Sequence, residues 1–445
     1  MAQGRRKRET PARIAGPCVL LVVVVLALTA LGVVMVYSSS MYTALADDES
    51  PAYYAIRQFL FALLGIAVAL VVRLIPLRCW QGLSGGNQAG ILLWVAWLAV
   101  IALIVVTKVM GIGGDDADIN ATRWVLGIQP SEFAKIVFIL VTVQIMVDFR
   151  AHRLALFQAL CKLIVLVGVP LALMAVWQSD FGTAVIVAIG ILAVLWLGDV
   201  PWQVLVGIGL CGVAVLAIAV LGFGYNIERF NYIYAFSEEY HTSSNWQTDH
   251  ALWAFAEGGV FGVGLGNSRM KYLWLTASHT DFIYAVIGEE LGLVGALFVV
   301  VLYLLFLYAG MSIAKEAVDS HGAILAGSLT LMIVFQAFLN IGFNIGILPT
   351  TGKTLPFVSY GGSSLLATYI MVGLILAVAR DAATTSVYER RRENLRIVRA
   401  VDEERPRGTD GSRSRGASTG RARATGRSAA APRFRATATQ RSGRR

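Results

Sequence analysis

Long uninterrupted apolar runs recur along the chain and restrict its fold more than any other feature of the sequence. A helix needs about 20 apolar residues to cross the hydrocarbon core of a bilayer. Because a segment in lipid must satisfy its own backbone hydrogen bonds, each run predicts a helix. We predict ten spans, at residues 17–38, 57–75, 88–107, 131–148, 156–176, 182–199, 202–223, 282–309, 322–347 and 361–380.

The composition agrees with an all-α polytopic integral membrane protein. Hydrophobic residues make up 57% of the 445 residues, charged residues make up 15%, and the mean hydropathy is +0.67. Soluble domains are far more polar. The four cysteines lie in apolar runs or at their edges, so we expect no disulfide framework. The sequence Ala44-Leu45-Ala46 resembles a signal-peptide cleavage site, but the apolar run before it is longer than such peptides carry, so we expect this span to be retained.

Basic residues in short loops fall at alternate ends of the predicted spans, which predicts that both termini are cytoplasmic. These residues are Arg5, Arg6, Lys7, Arg8, Arg13, Arg73, Arg78, Arg150, Arg153 and Lys315. The predicted layout is a basic N-terminus at 1–16, a ten-helix membrane domain at 17–380 and a tail at 381–445. A large external loop at 224–281 separates the seventh and eighth helices.

The tail differs in composition from everything before it. It is rich in Arg, Gly, Ser, Ala and Thr and accounts for the net charge of +9. Such a segment cannot bury a core, so we predict disorder. Its positive charge favours anionic lipids at the cytoplasmic face. Nucleic acid is not an expected partner, because the tail has almost no aromatic residues for stacking on bases.

Three acids lie at or inside the start of the eighth span. Asp281 stands where the external loop enters hydrocarbon, and Glu289 and Glu290 follow about two helical turns deeper. Acids in such places are costly, so a functional role is the default interpretation. We interpret Asp281 as the functional acid, and Glu289 and Glu290 as buried structural acids.

The start of the fourth span holds a second set of polar residues. Pro130 and Ser131 predict the helix start. Glu132 and Lys135 are spaced i, i+3, so they share one face of its first turn, either as an interfacial ion pair or as functional groups. Asp180 is placed to cap the sixth span, and Gly182 beside it is interpreted as a turn residue.

The segment at 348–360 is interrupted by proline and glycine at membrane depth. Non-helical backbone is tolerated there only where it is buried in protein or lines a wet cavity. Gln336, Asn340 and Asn344 lie upstream on one helix face at i, i+4 and i+8, and they either bind helices together or line that cavity. Helix binding is favoured for Asn340.

Glycines at 258, 259, 262, 264 and 266 resemble a dinucleotide-binding fingerprint only superficially, since no strand precedes them and no crossover helix follows. We interpret them as sites of close packing or sharp turns. His250 and His279 lack the spacing of a zinc site.

Five motifs follow one another in order: RW with IQPSEFAK, QSDFGTA, GLGNSRMK, HTDFIYAVIGEELG and TGKTLPFVSYGGSS. Together they resemble the SEDS family, whose members include FtsW, RodA and SpoVE, over roughly residues 36–380. GLGNSRMK is most similar to the division-type FtsW members. The chain departs from them at Leu275 to Ser278, where FtsW commonly has LPE, and at Tyr284, usually Phe.

The resemblance implies an inverting peptidoglycan glycosyltransferase that polymerises lipid II into glycan strands during septal wall synthesis. The reaction would take place at the outer face of the bacterial cytoplasmic membrane and release undecaprenyl pyrophosphate. Asp281, the acid of the HTDF motif, is implied as the general base or as the ligand of a divalent cation, Mg²⁺ or Mn²⁺.

Further roles follow from the same resemblance. Lys135, with Arg123 as a second cation, would face the pyrophosphate, and Glu132 would orient Lys135. Trp124 would shape the sugar or lipid path. The remaining substrate-binding predictions are Gln247, His279, Lys353 and Ser359.

The implied partners are a class B penicillin-binding protein, which is an FtsI-like transpeptidase, and other divisome proteins. Three alternatives remain open from the sequence: a lipid II flippase, an elongation-type RodA polymerase, and a non-enzymatic divisome scaffold whose working part is the tail.

Overall fold

Helices account for almost all of the described structure. The computed structural model describes residues 12–81, 91–110, 112–113, 122–125, 127–178, 180–222, 246–272, 274–275 and 277–404. The helices are α1 Ala12–Ala46, α2 Tyr53–Leu74, α3 Ile91–Met110, α4 Pro130–Arg150, α5 Leu156–Trp177, α6 Phe181–Leu197, α7 Trp202–Gly222, α8 Trp246–Gly258, α9 Ile283–Lys315, α10 Ser320–Asn344 and α11 Gly362–Glu404. Residues 1–392 form one unit and 393–445 a second, of which the described part, 393–404, is helical.

Each of the ten predicted apolar runs corresponds to a helix in this set. Seven of the described helices are long and apolar enough to cross a membrane: α1, α2, α3, α5, α9, α10 and α11. The all-α, multi-pass membrane architecture is therefore confirmed. The number of ten crossings stays a prediction, because α6 and the apolar part of α7 are shorter and α4 is not among the seven.

Two short elements were not predicted. Helix α8 lies within the segment 224–281 that was predicted to be loop, and it buries Ala251, Ala254 and Gly258 at helical spacing. This face packs with Phe282 and Phe343 in a small apolar cluster. A two-stranded antiparallel hairpin, β1 Ile112–Gly113 and β2 Thr122–Trp124, precedes α4. Residues 223–245 lie outside the described residues.

The prediction that disorder begins at residue 381 is wrong for residues 381–404, which continue α11. The sequence from Leu374 to Arg405 contains neither glycine nor proline and is rich in strong helix formers. The helix is described as far as Glu404. The remainder of the tail lies outside the described residues.

Predicted basic loop residues meet at one end of the membrane unit. Arg380 donates to the backbone carbonyls of Arg73 and Ile75 at 2.5 and 3.3 Å, which joins α11 to the end of α2. Arg150 pairs with Asp199 at 2.7 Å, joining the end of α4 to the turn after α6. This end is the one that the charge distribution predicts to be cytoplasmic.

Helix α5 contains a proline, Pro170, and a side chain of another helix satisfies the backbone carbonyl that this proline leaves without a donor. Pro170 has no N–H to donate to Leu166 O, and residues 164–168 form a π-helical turn just before it. Trp97 Nε1 on α3 donates to Leu166 O at 2.8 Å. The carbonyl that proline leaves free is thus satisfied inside the bundle, as lipid contact requires.

Helix α9 is broken at Gly292, which has φ 67° and ψ −167°. The chain after α8 supplies the missing hydrogen bonds: Val263 N donates to Glu289 O and Gly264 N to Glu290 O, both at 3.0 Å. A Cβ atom on Gly262 would lie 2.2 Å from Glu290 O, and that glycine has φ +80°. The glycine-rich stretch therefore serves close backbone packing, as its sequence indicated.

Side chains hold the same loop on α9. Lys271 Nζ contacts Glu290 Oε1 at 3.0 Å, and both side chains have no exposed surface. Ser38 on α1 donates to Glu290 at 2.6 Å, and Ser268 Oγ and Arg269 N donate to Glu289 at 2.5 Å. We call this group the α9 clasp. It joins α1, α9 and the loop that leads to Asp281.

The α9 clasp predicts a large stability effect. Lys271→Met leaves the Glu290 charge buried without its cation, so we expect a loss of about 3–5 kcal/mol in the free energy of unfolding. Thermal unfolding in detergent measures it, with Lys315→Met at the exposed end of α9 as the matched control. The double variant Lys271→Met/Glu290→Gln should recover part of the loss. Equal stability of Lys271→Met and Lys315→Met would contradict this account.

Candidate functional site

Asp281 lies just before α9, at the end of the unit predicted to be external, and is partly exposed. Its backbone carbonyl accepts hydrogen bonds from Asn340 Nδ2 at 2.9 Å and Asn344 Nδ2 at 3.0 Å. Its carboxylate faces the broken segment, since a Cβ atom on Gly352 would lie 3.5 Å from Oδ2. Two amides thus fix the main chain of Asp281, and its carboxylate remains within reach of a ligand.

The polar face of α10 organises this region. Asn340 also donates to Lys353 O at 2.6 Å, and Gln336 Nε2 donates to Thr354 O at 3.0 Å. Asn344 Oδ1 accepts from Ala285 N at 3.2 Å. All three amides are buried and bind the broken segment, or the start of α9, to α10. The sequence left two interpretations open, and the structure shows the helix-binding one.

Asp180 and Lys353 form a buried ion pair beside the broken segment, with Lys353 Nζ 2.6 Å from Asp180 Oδ1 and 5% of the Lys353 side chain exposed. Asp180 also caps α6 by accepting from Thr183 N at 3.1 Å, as predicted. Burial alone would raise the pKa of Asp180, but the Lys353 ammonium and the hydrogen bonds from Lys353 and Thr183 outweigh burial and hold the pKa far below its usual value.

Gly182 makes room for this pair, rather than serving only as a turn residue. A Cβ atom there would lie 2.7 Å from Lys353 Cε and 2.7 Å from Thr351 O. Any other residue would therefore push Lys353 away from Asp180. The sequence alone could not show this role of Gly182, because Lys353 lies about 170 positions away along the chain.

Glu132 and Lys135 form a second buried pair, on α4, at 2.6 Å, with 3% and 1% of their side chains exposed. Lys135 Nζ also donates to Gln336 Oε1 at 2.9 Å. The predicted proximity of the two residues is observed. The predicted contact between Lys135 and a pyrophosphate is not supported, because the ammonium is enclosed and already neutralised. The same objection applies to Lys353.

His279 was predicted to contact substrate, but the structure places it behind two tyrosines, with 9% of its surface exposed. Its ring centroid lies 4.9 Å from that of Tyr54 and 5.7 Å from that of Tyr360. Burial lowers the pKa of His279 to about 4, although Asp47 opposes the shift. The ring is therefore neutral near pH 7 and packs as an aromatic group.

The remaining predicted residues are placed as follows. Ser359 is buried, and its hydroxyl accepts from Leu355 N at 2.7 Å, so it stabilises the turn and is not free for substrate. Trp124 is 38% exposed on β2. The Arg123 side chain lies outside the described residues. Gln247 is half-buried in the first turn of α8.

Asp281 is the carboxylate that we predicted from the sequence to bind a divalent metal ion. The described residues contain no group of three or more His, Cys, Asp or Glu side chains placed to hold an ion. Magnesium is commonly held by one or two carboxylates together with substrate phosphates. A partly exposed single acid fits that shared mode of binding and does not fit a closed metal site made of protein ligands.

Sequence reasoning missed the aromatic residues around His279. Tyr54 and Tyr360 lie 5.1 Å apart between ring centroids, and Arg57 lies over the ring of Tyr53. The signal was present in the sequence, since Tyr53-Tyr54 and Arg57 lie at the start of the second predicted span, at the end predicted to be external. Aromatic residues at such an end are normally assigned to the membrane interface, which hid their convergence.

Comparison with known proteins places this site in a family context. The model of the FtsW/RodA/SpoVE family, described as cell cycle proteins, matches residues 18–384. The probable peptidoglycan glycosyltransferase FtsW of Trichlorobacter lovleyi is 33% identical over 380 residues, which cover 83% of this chain and 94% of the relative. The corresponding protein of Thioalkalivibrio sulfidiphilus is 37% identical over 370 residues, covering 80% and 88%.

Two solved structures share the fold. A chain of a peptidoglycan synthase complex that coordinates polymerization and crosslinking has a TM-score of 0.62 and 25% identity, covering 81% of this chain and 97% of its own. The crystal structure of the rod shape determining protein RodA of Thermus thermophilus has a TM-score of 0.57 and 26% identity, covering 81% and 96%. The matched region includes every helix from α2 to α10 and the segment that carries Asp281, and the chain therefore belongs to the FtsW/RodA/SpoVE family of cell cycle proteins.

Proposed function

We propose that this chain is a division-type peptidoglycan glycosyltransferase that polymerises lipid II at the outer face of the bacterial cytoplasmic membrane. The names of its relatives support the reaction class and favour the division type over an elongation-type RodA. The observation that carries the proposal is Asp281, a partly exposed carboxylate at the outer end of a membrane bundle. Its main chain is fixed by two buried amides.

The reaction assigns Asp281 the role of general base. The 4-hydroxyl of the incoming lipid II sugar attacks the anomeric carbon at the end of the growing strand. The bond from that carbon to the pyrophosphate oxygen breaks with inversion, and the hydroxyl proton passes to the Asp281 carboxylate. Positioned bases of this kind contribute about 10²–10⁴-fold to a rate. Because Asn340 and Asn344 fix its backbone, the carboxylate needs little reorganisation before the reaction.

The leaving pyrophosphate needs positive charge from a source other than the buried lysines. Lys135 and Lys353 are paired with acids at 2.6 Å and are almost fully enclosed. A divalent cation, Mg²⁺ or Mn²⁺, held by Asp281 and by phosphate oxygens would neutralise the charge that develops on the leaving group. The buried pairs then act indirectly, by holding α4, α6 and the broken segment in place around Asp281.

The setting of this reaction is the division septum, with both termini in the cytoplasm. The basic residues gathered at the end opposite Asp281 support that orientation. A class B penicillin-binding protein is the proposed partner for crosslinking, supported in general terms by the structural similarity to a peptidoglycan synthase complex. Other divisome proteins, and anionic lipids bound by the Arg-rich tail, complete the proposed set of partners.

Asp281→Asn tests the central role. The amide keeps the size of the side chain but removes its basicity, so we expect polymerisation to fall by about 10²-fold or more. The measurement uses purified protein with its transpeptidase partner, fluorescent lipid II and Mg²⁺, with chain length read on gels. Asp199→Asn, an exposed acid at the opposite end, should retain wild-type activity.

The same preparations distinguish polymerisation from transport. Liposomes loaded with fluorescent lipid II report its movement across the bilayer. Wild-type rates of polymerisation in Asp281→Asn would remove the assigned base. Transport by both proteins without polymerisation by either would establish the flippase instead.

The Asp180–Lys353 pair predicts energetic coupling. Asp180→Asn and Lys353→Met each leave a partner buried without its counter-charge, so each should lower the free energy of unfolding by about 3–5 kcal/mol. The double variant should be more stable than the sum of the single losses predicts, by about 0.5–3 kcal/mol. Thermal unfolding of the four proteins measures the free energies for this double-mutant cycle. The rate of polymerisation by variants that fold should also fall. Strictly additive losses would show that the pair does not act as a unit.

The metal prediction has a readout besides activity. Since Asp281 alone cannot enclose an ion, Mn²⁺ should bind weakly to the protein and much more tightly when undecaprenyl pyrophosphate is present. Electron paramagnetic resonance of Mn²⁺ measures both cases, and Asp281→Asn should weaken the tighter one. Chelation should stop polymerisation, and Mg²⁺ should restore it. Full activity after chelation would leave Asp281 as a base only.

A further inference from the structure

Aromatic side chains and one arginine from three distant parts of the chain meet beside Asp281. Tyr53, Tyr54 and Arg57 come from the first turn of α2, His279 from the loop before α9, and Tyr360 from the end of the broken segment. We call these five residues the aromatic cradle. The role of Asp281 as a base or metal ligand does not require any of them.

The rings have a defined arrangement. Tyr54 is edge-on to Tyr53 at 5.1 Å and edge-on to Tyr360 at 5.1 Å between centroids. The hydroxyl of Tyr54 donates to Asp47 Oδ2 at 2.8 Å, which fixes the ring. His279 packs behind Tyr54 and Tyr360. The cradle is therefore built before any ligand arrives.

The outer part of the cradle is open. The three tyrosines are partly exposed and Arg57 is exposed, whereas His279 is buried behind them. Arg57 Nη1 donates to Tyr53 Oη at 2.7 Å, and its guanidinium lies 5.1 Å from the centre of that ring. Burial raises the pKa of Tyr360, and the Arg57 charge opposes that shift, so Arg57 acts on this ring as well. A fixed cation thus borders an aromatic surface.

The cradle is joined to Asp281 by the backbone. Tyr360 N donates to His279 O at 2.9 Å, and His279 precedes Asp281 by two residues. On the other side, the Asp281 carboxylate faces Gly352, one residue before Lys353. A ligand held by Tyr54 and Tyr360 would therefore lie against the loop that carries the proposed base.

Aromatic faces and a guanidinium select a particular chemistry. Tyrosine offers a large apolar face at low conformational cost, suited to the C–H face of a sugar ring. Arginine binds phosphate or carboxylate through two parallel N–H donors. A ligand that uses both has a pyranose ring and an anionic substituent close to it.

We propose that the aromatic cradle is a saccharide subsite, in which the perpendicular rings of Tyr54 and Tyr360 line two sides of a sugar ring of the lipid-linked substrate and Arg57 binds its anionic substituent. This inference rests on the proposed glycosyltransferase function and adds to it the residues that orient the substrate. The anion is either the pyrophosphate of the lipid carrier or a carboxylate of the stem peptide. Both present the same chemistry to Arg57, so separate ligands must distinguish them.

The test measures binding and turnover separately. Lipid II, undecaprenyl pyrophosphate and a soluble disaccharide-peptide are titrated against full-length protein in nanodiscs, in an Asp281→Asn background that prevents turnover. KM and kcat for polymerisation are measured in the otherwise wild-type chain with its transpeptidase partner. The variants are Tyr54→Leu, Tyr360→Leu, Arg57→Gln and the conservative Tyr54→Phe. Matched controls are Tyr308→Leu on the exposed side of α9 and Arg73→Gln at the other end of α2.

We expect Tyr54→Leu and Tyr360→Leu to weaken lipid II binding and raise KM by about tenfold, since contact with an aromatic ring is commonly worth up to that much. Tyr54→Phe keeps the ring but loses the hydrogen bond to Asp47, so its affinity for lipid II should lie closer to wild type than that of Tyr54→Leu. Arg57→Gln should weaken lipid II together with one of the other two ligands. Loss of undecaprenyl pyrophosphate binding identifies the phosphate as the anion, and loss of disaccharide-peptide binding identifies the carboxylate.

Clear results would overturn the inference. If Tyr54→Leu and Arg57→Gln keep affinity and KM within about twofold of wild type while the wild type polymerises, the cradle is an interfacial anchor of α2 and not a subsite. If Tyr360→Leu unfolds, the test depends on Tyr54→Leu and Arg57→Gln, because these two residues belong to α2 and not to the broken segment. A wild type that binds lipid II through the cradle without polymerising it would refute the proposed reaction and leave the subsite standing.

Discussion

An unpaired backbone N–H or C=O cannot be left in hydrocarbon, and the broken segment at 348–360 exists only because other helices satisfy its backbone groups. Buried amides on α10 bind the carbonyls of Lys353 and Thr354, Gln58 on α2 donates to Ser359 O, and Tyr303 on α9 donates to Pro356 O. Helix α1 presses so close that a Cβ atom on Gly32 would lie 2.6 Å from Phe357 O. Four helices thus determine the path of one irregular segment. Because Asn340 binds both this segment and Asp281 O, the position of the proposed base follows from the same requirement.

The same requirement explains the other two interruptions of regular helix. At Gly292 the backbone of α9 is completed by the loop after α8, and at Pro170 a free carbonyl of α5 is met by Trp97. The interruption at Gly292 holds the start of the loop that ends at Asp281. The second lies between α3 and α5, away from that loop. Irregular backbone therefore marks the functional region only where it is combined with buried charge, as it is in the α9 clasp and beside the Asp180–Lys353 pair.

The sequence was informative wherever a local rule is strong. Long apolar runs located the helices, Asp180 was recognised as a cap, and the spacing of Gln336, Asn340 and Asn344 placed them on one face. It was uninformative where the answer depends on contacts between distant residues. Lys353 pairs with an acid from α6 and Lys271 with one from α9, and neither partner can be read from spacing. Helix α8 was missed because its apolar face is short and interrupted by polar residues, and the extension of α11 because charged composition outweighed helix propensity in the prediction.

The distribution of charge near Asp281 separates supporting groups from groups available to a substrate. Lys135, Lys271 and Lys353 are each paired with a buried acid, so each pair adds no net charge, and an unpaired lysine in these places would be very costly. Such pairs can hold segments together, but they cannot turn toward a pyrophosphate without breaking. Among the described side chains around Asp281, the exposed Arg57 is free of that restriction, and it lies on the side of the aromatic cradle. Because burying an unpaired charge in a membrane is costly, the lysines are paired and stabilise the fold. The anionic group of the substrate is then left to Arg57 and to the divalent cation that binds with the substrate.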